Sequence, residues 1–342
     1  MQQEKENIKL VDTNSYSTAQ PGYVAAADLG GTNLRLALAD MSGSILTRKA
    51  FSTVGLRGPE AVIQLLCSGV KDLLREVAAP HGALRSVAIG VPGVTDVENG
   101  IVIGASYLMG WKDVPLRALV EKELNVPSFV DNDVNMAAVG EQWSGSAKDA
   151  KDFVFLAIGT GIGAGIVLNG KLHRGSSWAA GEIGYMLVPG AAKIPTKSDE
   201  PGALENMIGG EGMKAQWQRR RNGEPAALSA DLNATEIFDL ALDGNPHAQA
   251  LLHQSATMLA QAVYNVSLVL NCPLFVLGGT VGLHSALCDA AQQKLDEWTV
   301  PARLRLVRST LGTDAQLYGC IRAALETAEA SFVPSAICAN SN

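Results

Sequence analysis

"AADLGGTNLRLALAD", residues 26–40, is the stretch whose reading decides the fold. It opens apolar, turns through Gly30, Gly31 and Thr32, and resumes with Leu34, Leu36 and Leu38 alternating with Arg35, Ala37 and Ala39. Alternation at every second residue marks a half-buried strand, so these glycines join strand to strand. Most glycine-rich phosphate loops lead into a helix, whose N-terminal amides hold the anion. A glycine hairpin preceded by an acid, Asp28, needs its complement elsewhere in the chain.

The complement is "FVFLAIGTGIGAGIVLNGKL", residues 153–172, which repeats the plan: apolar strand, glycine turn, apolar strand, Asn-Gly turn, strand. A third glycine turn, "FVLGGTVG" at 275–282, follows a long helical stretch and a strand. Working outward from the first hairpin, "ILTRKAFST" (45–53) predicts a third strand. "GPEAVIQLLCSGVKDLLREVA" (58–78) spaces Val62, Leu65, Leu66, Val70, Leu73, Leu74 and Val77 at threes and fours, which predicts an amphipathic helix. "SVAIGVPG" is a buried strand ending in a Pro-Gly turn, "PLRALVEKELN" a short helix, and "PSFVDND" a strand running into polar residues. Residues 23–130 thus read βββαβαβ, and the second glycine hairpin predicts an internal repeat of the same unit. Two related α/β lobes would face one cleft, with glycine amides approaching phosphate oxygens where no Cβ intervenes. Any one turn alone reads equally as a plain tight hairpin.

The chain has 342 residues, 47% of them hydrophobic and 18% charged, with 35 glycines and a net charge of −7. The length predicts about two domains, and the acidic balance argues against a nucleic-acid partner. Bound phosphates would then rest on local amides and metal ions. Cys67, Cys272, Cys288, Cys320 and Cys338 form no C-x-x-C pair and are odd in number, which predicts neither a disulfide framework nor a zinc cluster, and a cytoplasmic setting. The N-terminal 22 residues lack the apolar core of a signal peptide. Gln254, Gln261 and Asn265 interrupt the longest apolar helix, so no membrane span is expected. "QRRRNG" at 218–223 reads as a basic helix C-terminus.

"DLGGTNLRLAL", "IGVPGVTD", "VDNDVNMAAVGE", "IGTGIGAGIVLNGKL", "GEIG", "VLGGTVG" and "STLGTDAQLYGCIRAAL", in that order, resemble the ROK family of sugar kinases and sugar-responsive repressors, from about residue 23 to 327. The resemblance implies the two-lobed actin, Hsp70 and hexokinase-like (ribonuclease H-like) ATPase fold with duplicated βββαβα lobes. It divides the chain into a tail (1–22), an N-terminal lobe (23–130) joined by a C-terminal helix near 312–330, a larger lobe (131–311) and a second tail (331–342). ROK repressors carry a helix-turn-helix ahead of the first hairpin; only some 25 residues precede Asp28 here, which favours the kinase branch. The expected activity is ATP-dependent phosphorylation of a hexose hydroxyl, with glucose the default substrate. A non-catalytic sugar sensor and a kinase for an N-acetylhexosamine or fructose stand as alternatives. ATP, Mg²⁺ and a sugar are the expected ligands, and a homodimer is a family expectation.

Position by position, Asp28, Gly30, Gly31 and Thr32 resemble the first phosphate motif, with Asp28 holding Mg²⁺ through its water shell. Gly159, Thr160, Gly161 and Gly163 resemble the second phosphate motif, and Gly278, Gly279 and Thr280 the adenosine and α-phosphate turn. In "DND" the resemblance makes Asp133 the general base and Asn132 a sugar ligand; the same residues also suit a helix N-cap. Glu182 and Glu205 match two carboxylates that bind sugar hydroxyls. The chain departs from the family at the zinc loop: Tyr185 stands in place of a His and Ala203 in place of a Cys, with no cysteine between Cys67 and Cys272, so no zinc is expected. Tyr107 replaces an Asn near the sugar. Both tyrosines are therefore candidate sugar contacts, and they leave the sugar open.

Overall fold

The computed structural model describes residues 21–105, 108–191, 195, 200–220, 231–299 and 303–332. The first lobe is built on β1 (Tyr23–Leu29), β2 (Asn33–Asp40) and β3 (Ile45–Ser52), then α1 (Gly58–Glu76) and β4 (Leu84–Val91). Three short strands follow, β5 (Val94–Asp96), β6 (Ile101–Gly104) and β7 (Lys112–Val114), before α2 (Leu116–Leu124) and β8 (Ser128–Asn132). The sheet order is β3-β2-β1-β4-β8, antiparallel across the hairpins and parallel at β1–β4 and β4–β8. The small strands form a separate sheet, β5-β6-β7.

After α3 (Asp133–Ser144), the plan repeats with β9 (Phe153–Ile158), β10 (Ile162–Leu168) and β11 (Lys171–His173). Helices α4 (Glu205–Ile208), α5 (Gly210–Arg220), α6 (Ala234–Leu242) and α7 (Pro246–Leu270) precede β12 (Leu274–Gly278). The chain continues through α8 (Gly279–Gly282), α9 (Ser285–Glu297), β13 (Arg305–Arg308) and α10 (Ala315–Phe332). The second sheet, β11-β10-β9-β12-β13, has the same order and the same strand senses as the first. The internal repeat read from the two glycine hairpins is therefore a duplicated fold. The family boundary at residue 131 falls inside the sheet, because β8 runs through Asn132.

Helix α1 buries Val62, Ile63, Leu66, Cys67, Val70 and Leu73 against Leu34, Leu36 and Leu38 of β2, as the two periodicities require. One expectation needs correcting: β2 is not half-buried. Its other face, Ala37 and Ala39, is also covered, by Leu317, Cys320, Ile321 and Ala324 of α10. Alanines let the helix approach the sheet closely, and Ser86 Oγ donates to the Ala324 carbonyl at 2.5 Å. Helices α3 and α10 then cross where both lack side chains. A Cβ on Gly319 would stand 1.7 Å from the Met136 carbonyl oxygen, and one on Gly140 2.2 Å from that of Ala315. Since α3 also packs on β9 and β10 while α10 packs on β1 and β4, this glycine crossing fastens one repeat to the other.

Among the described residues no helix is long and apolar enough to cross a membrane, and Cys67, Cys272, Cys288 and Cys320 are buried free thiols.

Candidate active site

Strand β8 ends in the sequence Asp131-Asn132, and α3 begins at Asp133. Asn132 caps the helix: its side-chain oxygen accepts from the backbone N–H groups of Val134 (2.9 Å) and Asn135 (3.1 Å). Its Nδ2 donates to the Gly93 carbonyl at 2.9 Å. The capping role is thus met, and one amide hydrogen of Asn132 remains for a ligand. Asp133 follows in the first turn, where the helix N-terminus favours a negative charge. Burial nevertheless pushes its carboxyl up to about 7, and the nearby charges of Asp28 and Glu182 add to the rise against the bond from the Val134 N–H. A carboxylic acid poised near neutrality is able to take or give a proton at working pH.

Asp28 faces Arg35 directly across the β1–β2 ladder. Arg35 Nε and Nη2 both bind Asp28 Oδ2, at 2.9 and 2.5 Å, and Nη1 reaches Asp314 at 3.4 Å; Arg48 also pairs with Asp314. Asp28 still sits above the usual carboxylate range, because desolvation outweighs its cation. The tip beyond it, Gly31 and Thr32, is exposed and is held from beneath by Thr53, whose N–H donates to the Thr32 carbonyl and whose hydroxyl donates to that of Gly31.

The second glycine turn is tied to the helices that follow it. Glu205 accepts from the Ile162 N–H at 2.9 Å, and the N–H of Gly210 donates to the Gly159 carbonyl at 2.8 Å. Gly279, with φ +75°, backs onto the end of β9, where a Cβ would lie 2.4 Å from the Ile158 carbonyl oxygen. The second and third turns are therefore neighbours on one sheet edge. A Cβ on Gly159 would meet nothing within 4 Å, so this glycine leaves open space rather than filling a packing need. Thr32, Thr160 and Thr280, one per turn, are all exposed. The open space at Gly159 and the exposed threonine hydroxyls suit the phosphates of a nucleotide. A Cβ on Gly163 would press on Val134 at 3.0 Å, so the missing side chain also makes room for α3.

Glu182 opens a 3-10 turn, Ile183–Tyr185, and its carboxyl is raised by desolvation and by Glu205. The Tyr185 phenol is raised by desolvation and by the charges of Glu182 and Glu205, so the three groups share one neighbourhood. Tyr185 is itself half exposed, at 49%. The segment bearing Glu205 is held by close packing. A Cβ on Gly202 would lie 2.2 Å from the Gly184 carbonyl oxygen, and Ala203, Leu204 and Ile208 are buried. Among the described residues no group of three His, Cys, Asp or Glu could hold a metal ion. Tyr107, and residues 192–194 and 196–199 of the altered loop, lie outside the described residues. Arg219 and Arg220 of "QRRRNG" lie in the last described turn of α5; residues 221–223 lie outside the described residues.

Sequence reading missed Arg35, Asp131, Arg174 and the Gly209–Gly210 pair. The last had a signal in the glycine density of "IGGEG". Asp131 is buried and accepts from the Asn132 N–H (2.7 Å) and Asn135 Nδ2 (3.0 Å) at Oδ1, and from Arg174 Nε (2.8 Å) and Nη2 (2.7 Å) at Oδ2.

The pattern of the ROK family matches residues 24–325. The chain is 29% identical over 314 residues to a glucokinase of Halalkalibacterium halodurans, covering 87% of this chain and 93% of that one. It is 30% identical over 295 residues to an N-acetylmannosamine kinase of Escherichia coli, covering 86% and 95%. Among solved structures, a ROK family transcriptional regulator homologous to the E. coli MLC protein superposes with a TM-score of 0.79 at 26% identity, over 90% of this chain and 79% of that one. A ROK family glucokinase from Streptomyces griseus, in complex with glucose and AMPPNP, gives a TM-score of 0.74 at 24% identity, over 89% and 100%.

Proposed function

The chain belongs to the ROK family, and on that footing we propose that it is an ATP-dependent sugar kinase acting on a hexose, with Asp133 as general base. The observation that carries the reading is the Asp133 carboxyl in the first turn of α3, within reach of the charges of Asp28 and Glu182 and pushed up to about 7. A sugar hydroxyl is far too weak an acid to ionise beforehand. It gives its proton to Asp133 as its oxygen bonds to the γ-phosphorus of ATP and the bond to ADP breaks, with surrounding donors spreading the phosphoryl charge. Gly30, Gly31, Thr32, Gly159, Thr160, Gly161, Gly278, Gly279 and Thr280 would hold the nucleotide, and Asp28, whose Oδ2 is paired with Arg35, would hold Mg²⁺ through a bound water, the ion supplying positive charge to the phosphates. Glu182, Glu205, Tyr185 and the remaining amide hydrogen of Asn132 take the sugar hydroxyls. Sequence similarity to a glucokinase and to an N-acetylmannosamine kinase supports the sugar-kinase class, with glucose first among the hexoses.

ADP release over a panel of hexoses, N-acetylhexosamines and fructose tests this. Asp133→Asn should lower kcat on the best sugar by about 10²- to 10⁴-fold, with sugar affinity by calorimetry nearly unchanged. Wild-type kcat/KM should fall about tenfold per pH unit below 7, as the base is protonated. Tight sugar binding with no turnover would instead support a sugar-responsive regulator, the reading favoured by the likeness to the transcriptional regulator.

A further inference from the structure

Glu182 and Asp133 come from different repeats, and one contact joins the segments that carry them. Arg174 directly follows β11, the outer strand of the second sheet. Its carbonyl accepts from the Ala180 N–H at 3.2 Å, closing the loop that delivers Gly181 and Glu182. Gly181 is pinned in turn: its carbonyl accepts from the Ala164 N–H at 2.8 Å, and with φ +100° a Cβ would fall 1.9 Å from the Ala164 carbonyl oxygen. The guanidinium of the same Arg174 places two donors on Oδ2 of Asp131 in β8. Oδ1 of Asp131 holds the Asn132 N–H and the Asn135 side chain, on either side of Asp133.

We propose that Arg174, acting through Asp131, is a positioning residue that sets the Asp133 carboxylate against the sugar loop of Glu182. The proposal rests on the kinase reading above. Arg174 does not touch a reacting atom; it fixes the distance between the base and the groups that orient the hydroxyl. All four donors on Asp131 come from these two segments, so the carboxylate has no slack, and its side chain is only 1% exposed. Arginine is the residue this needs, because its rigid planar donor set aims two N–H groups at one oxygen, whereas a lysine ammonium is a point charge on a flexible stem.

The test is a cycle of variants read by steady-state kinetics on the best sugar. Arg174→Met alone leaves Asp131 buried without its cation and risks misfolding, so the working variants are Arg174→Lys and the paired Arg174→Met/Asp131→Asn. Each is made with Asp133 intact and with Asp133→Asn, and circular dichroism confirms folding. A misplacement of about 1 Å costs on the order of 10²-fold in rate. The paired variant should therefore lose about 10²-fold in kcat while the KM for ATP stays put, and Arg174→Lys should fall between it and wild type. With Asp133→Asn already in place, the same changes should cost little more, since residues acting as a unit are not additive. Losses that simply add, or a folded paired variant at wild-type kcat, would overturn the positioning role while leaving the base assignment intact. A wild-type kcat in Asp133→Asn alone, or no turnover by the wild type on any sugar, would overturn the kinase reading and this proposal with it.

Discussion

Replacing Asp133 by Asn should make the protein more stable at pH 8 while disabling it. The carboxyl has an ordinary value of 3.8 and is pushed up to about 7 in the fold, first by burial and then by the charge of Asp28. Between those values the unfolded chain gives up its proton and the folded chain does not, so stability falls as pH rises from about 4 to 7. Above 7 the folded protein carries a poorly solvated, half-buried anion. The cost is about 1.36 kcal/mol for each of roughly three units, or about 4 kcal/mol. Asn cannot ionise and escapes it. It keeps an oxygen for the Val134 N–H that Asp133 now accepts, and the attraction of the helix start for the anion is already contained in the raised value. The net expectation is about 4 kcal/mol in favour of the variant at pH 8, shrinking through pH 6 and gone below pH 4. Urea denaturation of both proteins at half-unit pH steps, without ligands, reads this directly. A gap that stays flat across the range, or a variant less stable at pH 8, would show that Asp133 is not a desolvated acid and would remove the physical basis for its role as base.

The repeat was legible because each glycine hairpin is local: strand, turn and strand lie within about twenty residues, and the period-two leucines of β2 needed no tertiary knowledge. Helix α1 was legible for the same reason. The sheet β5-β6-β7 was not, because strands of three or four residues are too short to show a period. Nor was the burial of Ala37 and Ala39, since the helix that covers them arrives nearly 280 residues later. At the site, chemistry carried by residue type was readable and chemistry carried by contact was not. Asn132 capping α3 follows from its place before a helix, whereas the pairing of Asp131 with Arg174, 43 residues apart, depends on two sheets meeting. Asp28 and Arg35 lie between these extremes. Counting outward from the turn puts them opposite one another in the hairpin, so the ion pair that complicates a pure metal-binding role for Asp28 could have been read from register alone. Gly163 shows that a glycine inside a phosphate-like motif also answers a packing need, the approach of Val134 in α3, which the sequence alone does not display.

Two further outcomes follow from the same contacts. The purified protein should contain no stoichiometric zinc and keep its melting temperature in strong chelator, because Gly202 against Gly184 and the buried Ala203, Leu204 and Ile208 do the bracing; about one zinc per chain, or melting on chelation, would refute this. The α3–α10 crossing should tolerate no methyl group. A Cβ at 1.7 Å from the Met136 carbonyl oxygen meets rigid helix backbone rather than a movable side chain, so Gly319→Ala must part the helices that join the repeats. Overpacking typically costs about 1–3 kcal/mol, and this contact is closer than any side-chain rotation relieves. Ala is intrinsically the better helix former by about 1 kcal/mol, so a loss of stability seen in denaturation would have to come from the crossing itself. A Gly319→Ala protein as stable as wild type would mean that the helices stand farther apart than the glycines indicate.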